Sequence, residues 1–168
     1  MDISLIITTY NWKEALGVSL ASVLAQTLPP CEIIVADDGS RPDTGELVRR
    51  LAATAPVPVI HSWQEDLGFR LAMSRNRAIA RARGAYIILI DGDIVVDRRF
   101  VEDHRDFARM GHFVQGTRVL LGPELTERVL TSGELRWPLL ARGVENRKNC
   151  VRSLLLARLF SFRSRRLP

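Results

Sequence analysis

The sequence predicts an α/β domain with a mostly parallel sheet and helices on both faces. Short β-rich apolar runs alternate with stretches of helical period, and two of those runs end in acidic, glycine-containing turns. The 168 residues, 46% hydrophobic and 26% charged, suffice for one domain with a sizeable core. That composition excludes disordered, collagenous and coiled-coil chains.

Ile3-Ser4-Leu5-Ile6-Ile7-Thr8-Thr9 is an apolar run suited to a strand covered on both faces. Leu16, Leu20, Val23 and Leu24 follow at helical spacing and stop before Pro29-Pro30. Glu32-Ile33-Ile34-Val35-Ala36 is the second strand and leads into Asp37-Asp38-Gly39-Ser40, after which Asp43 and Glu46 suggest a capping pair for a helix to about Thr54. Val57-Pro58-Val59-Ile60 reads as a weaker third strand, its proline favouring an edge or a strand start. Residues 70–83 read as a helix, and Tyr86-Ile87-Ile88-Leu89-Ile90 as a fourth strand running into Asp91-Gly92-Asp93. Crossovers that contain helices make the strands parallel and put ligands at their carboxyl ends, so the two acidic clusters are expected on one rim. Beyond Asp97 the pattern gives a helix around Phe100–Met110 and strand-like segments at 113–115 and 119–121.

Charge is uneven. Arg142, Arg147, Lys148, Arg152, Arg158, Arg163, Arg165 and Arg166 face Glu145 alone in the last 28 residues, so the net +5 is a property of the tail. Residues 151–160 read as a basic amphipathic helix suited to an anionic membrane surface or an acidic partner, or as an arginine face on a helix packed by its leucines. Nucleic acid is disfavoured, because no stacking platform or groove-docking motif accompanies the charge. No apolar run approaches the roughly 20 residues of a membrane span, and no secretory leader is expected, which points to the cytoplasm. Cys31 and Cys150 form no Cys-x-x-Cys pair and are expected as buried or half-buried thiols.

Asp91-Gly92-Asp93 is the most informative tripeptide. Carboxylates two residues apart at a strand end can point to the same side, and their repulsion calls for a proton or a hard divalent cation such as Mg2+ or Mn2+. An acidic turn is the plain alternative. An EF-hand reading fails because Val96 stands where the loop needs glycine, and no dinucleotide or Walker motif is present. Asp37-Asp38-Gly39-Ser40 is either a turn or a carboxylate that accepts from a nucleobase imide or ribose hydroxyl, with Thr8, Thr9 and Tyr10 lining the same pocket. Arg75 projects among Leu71, Ala78, Ile79 and Ala82, so its guanidinium needs a carboxylate or a bound phosphate, whether in a structural ion pair or a site. His104, amid Glu102-Asp103-His104-Arg105-Asp106, is expected at the surface.

Thr8-Thr9-Tyr10-Asn11, Asp37-Asp38-Gly39-Ser40, Gly68-Phe69-Arg70 with Arg75-Asn76-Arg77, and Asp91-Gly92-Asp93, in this order, closely resemble the family 2 glycosyltransferases of the GT-A fold. The resemblance covers residues 3 to about 122, and Trp63-Gln64-Glu65-Asp66-Leu67-Gly68-Phe69-Arg70 resembles the branch that builds bacterial lipopolysaccharide core and other surface glycans. It implies a GT-A nucleotide-sugar-binding domain at 1–122 and, at 123–168, a helical basic segment that begins an acceptor region. It further implies a nucleotide-diphospho-sugar donor, usually UDP-linked, inversion by direct displacement, and a glycan or lipid-linked acceptor of the cell envelope. Peripheral contact with the inner face of the plasma membrane would run through the basic tail.

By that resemblance Thr8 and Asp38 contact uracil and ribose, Arg70 sits near the base, and Asp91 and Asp93 hold the diphosphate through Mn2+ or Mg2+. The implied donor set is Thr8, Thr9, Tyr10, Asp37, Asp38, Arg70, Arg75, Asn76 and Asp91. Family members supply the base from a Glu-Asp pair in a second half. Here Glu102-Asp103 comes too early for that role, so no catalytic base is assigned and the donor-binding half is what the resemblance implies. Two other readings stay open: a non-catalytic module of this fold that associates through its tail, and a nucleotidyltransferase, which the lack of a lysine-bearing phosphate loop near residue 10 disfavours.

Overall fold

The computed structural model describes residues 1–138, 140–150 and 153. Its described residues divide into two compact units, residues 1–114 with 128–135, and residues 115–127 with the described residues from 136 onward. In the first unit, strands β1 (Ile3–Thr9), β2 (Glu32–Asp37), β3 (Val59–Trp63) and β4 (Tyr86–Asp91) form a parallel sheet of order β3-β2-β1-β4. The crossovers carry helices α1 (Lys13–Leu24), α2 (Pro42–Ala52) and α3 (Leu71–Arg81), and α4 (Phe100–Phe107) follows β4.

Strand alternation sends successive side chains to opposite faces. Leu5, Ile7, Ile33, Val35 and Ile88 meet Leu16 and Leu20 of α1, Val48 of α2 and Val101 of α4 in the larger core. Ile6, Ile34 and Ala36 meet Ala78 of α3 in a smaller one. Both faces of β1 and β2 are thereby covered, which is why these strands are apolar throughout. At roughly 1.5–3 kcal/mol for each fully buried large aliphatic side chain, the broader core dominates the burial energy.

A polar knot fastens the amino end of the sheet. Glu32, fully buried, accepts from Ser4 Oγ at 2.6 Å, Arg83 N at 2.7 Å and Arg83 Nε at 3.0 Å, and Gly84 N donates to Ser4 Oγ at 2.8 Å. Burial pushes the Glu32 carboxyl up, but the donors from Ser4 and Arg83 outweigh it and hold it below its ordinary value. A Cβ at position 84 would lie 2.5 Å from Ser4 N, so glycine is required there.

Several expectations change. The second helix starts at Pro42 with Arg41 as N-cap, so Asp43 stands in its first turn and pairs with Lys13 at 2.6 Å instead of capping. Proline at the first helical position loses no hydrogen bond and presets φ, which accounts for the earlier start. Residues 113–115 form no strand. Cys31 is exposed, because it precedes the covered part of β2, and the Cys150 side chain lies outside the described residues. His104 is buried, one helical turn after Val101, with Phe100 edge-on at 4.6 Å between ring centroids and Tyr86 Oη 3.1 Å from Nδ1. Burial lowers the His104 pKa and raises that of Tyr86. The expected basic helix at 151–160 lies outside the described residues except Ser153.

In the second unit β5 (Leu120–Leu121) pairs antiparallel with β6 (Val144–Glu145), and Gly122 N donates to Gly143 O at 2.7 Å. Arg147 donates to the carbonyls of Val144 and Ala141, and Asn149 to that of Arg118. Helix α5 (Pro123–Ser132) follows β5 in the chain. Among the described residues no helix is long and apolar enough to cross a membrane.

Candidate functional site

From β1 the chain steps outward to β2 and β3, then returns to place β4 on the other side of β1. Such a reversal opens a crevice at the carboxyl ends of the strands, where open α/β sheets bind ligands. Register aligns Thr9 with Asp37 and Thr8 with Asp91, so the two acidic strand ends flank the end of β1.

The β2 side is closed. Asp37 is fully buried, accepting from Ser40 N at 2.8 Å through Oδ1, with His61 Nε2 at 2.8 Å from Oδ2. Asp38, also buried, accepts from Gln64 Nε2 at 2.6 Å through Oδ1 and from Arg70 N at 2.8 Å through Oδ2. A carboxylate only accepts, which fixes the Gln64 amide nitrogen toward Asp38 and leaves its buried Oε1 without a protein donor. Gly39 adopts φ +99°, and a Cβ there would lie 2.6 Å from Asp66 Cα. Tyr10, half-exposed, donates to Asp66 Oδ2 at 2.9 Å, and this hydrogen bond with the Asp66 charge raises the phenol pKa. Asn11, at φ +50°, joins the loops by donating its N–H to Ser40 Oγ at 2.8 Å and accepting from Arg41 N at 3.0 Å.

The β4 side is open. Asp91, half-exposed, accepts at Oδ1 from Thr8 Oγ1 at 2.9 Å and from Arg75 at 2.5 Å. Arg75 thus meets a carboxylate, one of the two partners its place on the helix called for, while its Nε is buried with no protein acceptor. Asp93 is exposed, with no hydrogen bond among the described residues. A Cβ at Gly92 would sit 2.5 Å from Thr8 O, so only glycine lets the turn lie against β1.

Most of the expected set therefore converges. Thr8 reaches Asp91, Thr9 O accepts from Asp38 N at 3.1 Å, and Arg70 brings its backbone to Asp38 while its side chain turns to Glu65 O and Met73 Sδ. Asn76, one residue past Arg75 and so about 100° round α3, is exposed and takes no part in these ties. Glu102 is bound to Arg99 at 2.8 Å and Thr27 at 3.3 Å. Sequence reading missed Asn11, Ser40, His61, Gln64 and Asp66 as site builders. For Asn11, Ser40, Gln64 and Asp66 the one visible signal was a run of polar residues after strand ends, whereas His61 lies inside β3.

No group of three or more His, Cys, Asp or Glu that could hold a metal occurs among the described residues. Asp91 and Asp93 nevertheless suit Mg2+ or Mn2+, which commonly take one or two carboxylates and fill their shell with water and substrate phosphates.

The family model described as Glycosyl transferase family 2 matches residues 4–165. The chain is similar to chondroitin synthase of Escherichia coli, 30% identical over 122 residues, which is 72% of this chain and 17% of that protein. Its fold is similar to that of S. aureus TarS 1–349 in complex with UDP-GlcNAc, with TM-score 0.54 and 20% identity over 79% of this chain and 47% of that one. It is also similar to that of mannosyltransferase PcManGT from Pyrobaculum calidifontis in complex with GDP-Man and Mn2+, with TM-score 0.54 and 22% identity over 78% of this chain and 37% of that one. The chain spans less than half the length of each of these proteins.

Proposed function

The chain belongs to glycosyl transferase family 2, and from that premise we propose that its rim binds the nucleoside diphosphate of an activated sugar, most simply a UDP-sugar. The transfer goes to a glycan or lipid-linked acceptor of the cell envelope, with inversion. The observation that supports this most is the convergence of Asp38 and Asp91 on either side of the β1 end, one buried and fully oriented, the other open beside a free Asp93.

In this reading Asp38, aimed by Gln64 and Arg70 N–H, offers its remaining lone pairs to the nucleobase imide or ribose hydroxyl. The exposed Tyr10 ring, pinned by Asp66, offers a face to the base. Asp91 and Asp93 hold Mn2+ or Mg2+, which when bound neutralises charge developing on the diphosphate leaving group. TarS in complex with UDP-GlcNAc supports the donor class, and PcManGT with GDP-Man and Mn2+ supports the ion.

Calorimetric titration with UDP tests the reading. Binding should strengthen at least about tenfold when Mn2+ is added, a gain of about 1.4 kcal/mol. Equal affinity with and without the ion, in the wild type and in Asp91→Asn, contradicts it.

A further inference from the structure

Asp91 already has a cationic partner without any ion. Arg75 reaches its Oδ1 at 2.5 Å, and Thr8 Oγ1 donates to the same oxygen at 2.9 Å. Thr8 is buried and its strand pairs in register with β4, which holds the Asp91 backbone at the rim. Arg75 differs. Its side chain is 35% exposed, it projects from α3, and its buried Nε has no acceptor. A guanidinium carries five donors and matches phosphate as well as carboxylate, so only part of its capacity is used in this pairing.

We propose that Arg75 is an exchange residue. It guards Asp91 against a divalent cation while the site lacks nucleotide, and it transfers to the phosphate oxygens when the nucleoside diphosphate arrives. This deepens the donor-site reading and rests on it. The physical basis is competition: a cation arriving alone must displace a positive charge from Asp91, whereas a cation arriving with a diphosphate brings the anion that takes that charge over. Ion and nucleotide therefore bind with positive coupling, and by linkage each raises the other's affinity by the same factor. Part of that factor is carried by Arg75 and not by direct contact between ion and phosphate.

The test measures Mn2+ binding by electron paramagnetic resonance without and with saturating UDP, and UDP binding by calorimetry at saturating Mn2+, in the wild type, Arg75→Gln and Arg75→Lys. Arg75→Gln should bind Mn2+ alone more tightly, by at least about fivefold, bind UDP more weakly by at least about tenfold, and show a smaller coupling factor. Arg75→Lys keeps the charge and should stay near the wild type in Mn2+ affinity. These opposite signs separate exchange from a residue that merely supports the fold, since loosening the rim would weaken both ligands. If the wild type binds UDP with Mn2+ but Arg75→Gln binds Mn2+ alone no better than the wild type, the exchange is wrong while the donor site stands. If Arg75→Lys matches Arg75→Gln in Mn2+ affinity, charge competition is wrong. If the wild type binds no UDP with Mn2+ present, the donor-site reading fails and takes the exchange with it.

Discussion

At the end of β2, Asp37 and Asp38 are buried and all four of their oxygens have partners, whereas at the end of β4 Asp91 is half-exposed and Asp93 stands free among the described residues. The two ends share a rim and a chemistry, so what separates them is solvation. Burying a carboxylate without partners is costly, and the β2 end is therefore finished by the protein before any ligand arrives. At the β4 end water can serve the exposed Asp93, while Arg75 and Thr8 hold Asp91 at one oxygen until a ligand takes the guanidinium over.

The largest effect is expected from breaking the closed end. Asp38→Ala strands the Gln64 amide and the Arg70 N–H, which should cost about 3 kcal/mol of stability in denaturant unfolding and abolish UDP binding. A cost below about 1 kcal/mol would show that this end is not the fixed one. Asp91→Asn, at the open end, should weaken Mn2+-dependent UDP binding at least about tenfold in calorimetry yet change stability by under about 1 kcal/mol, as for other exposed ion pairs. Smaller again in stability is Asp93→Asn, with a shift within about 0.5 kcal/mol but a lost response of UDP affinity to Mn2+.

Acid sharpens the contrast from outside the rim. Burial holds His104 below its ordinary 6.5, so the unfolded chain binds the proton more readily, and stability present above about pH 6.5 declines as pH falls through that value. Glu32, held below its ordinary 4.5, adds a second loss as pH drops beneath about 4.5. His104→Gln should remove the upper step in a denaturation series from about pH 8 to about pH 3 and leave UDP affinity unchanged. A profile that keeps that step would place its origin in another group.

Legibility followed the range of the contacts. The strands β1 and β2 announced themselves as apolar runs because both of their faces are covered, and the helix at 71–81 lies within the stretch its period marks out. Arg75 was legible as needing a carboxylate or a bound phosphate, since a guanidinium among Leu71, Ala78 and Ile79 has no local partner, but that it meets a carboxylate, and which one, depended on a strand 16 residues away. Gln64 and Asp66 were illegible as site builders. Their partners Asp38 and Tyr10 are 26 and 56 residues distant, and nothing in their own neighbourhood encodes that pairing. His104 misled because its charged neighbours resemble a surface helix, although its spacing from Val101 places both on the face that packs against the sheet.

The sequence by itself determined the alternation of strands and helices, the acidic strand ends and the glycines beside them, because these rest on side-chain period and local backbone freedom. Only the tertiary structure decided that β1 lies between β2 and β4, that one acidic end is sealed while the other stays wet, and that Arg75 closes on Asp91. Strand order and burial are properties of how covered faces fit together, and a local pattern of hydrophobicity is the same whichever neighbour a strand finally takes.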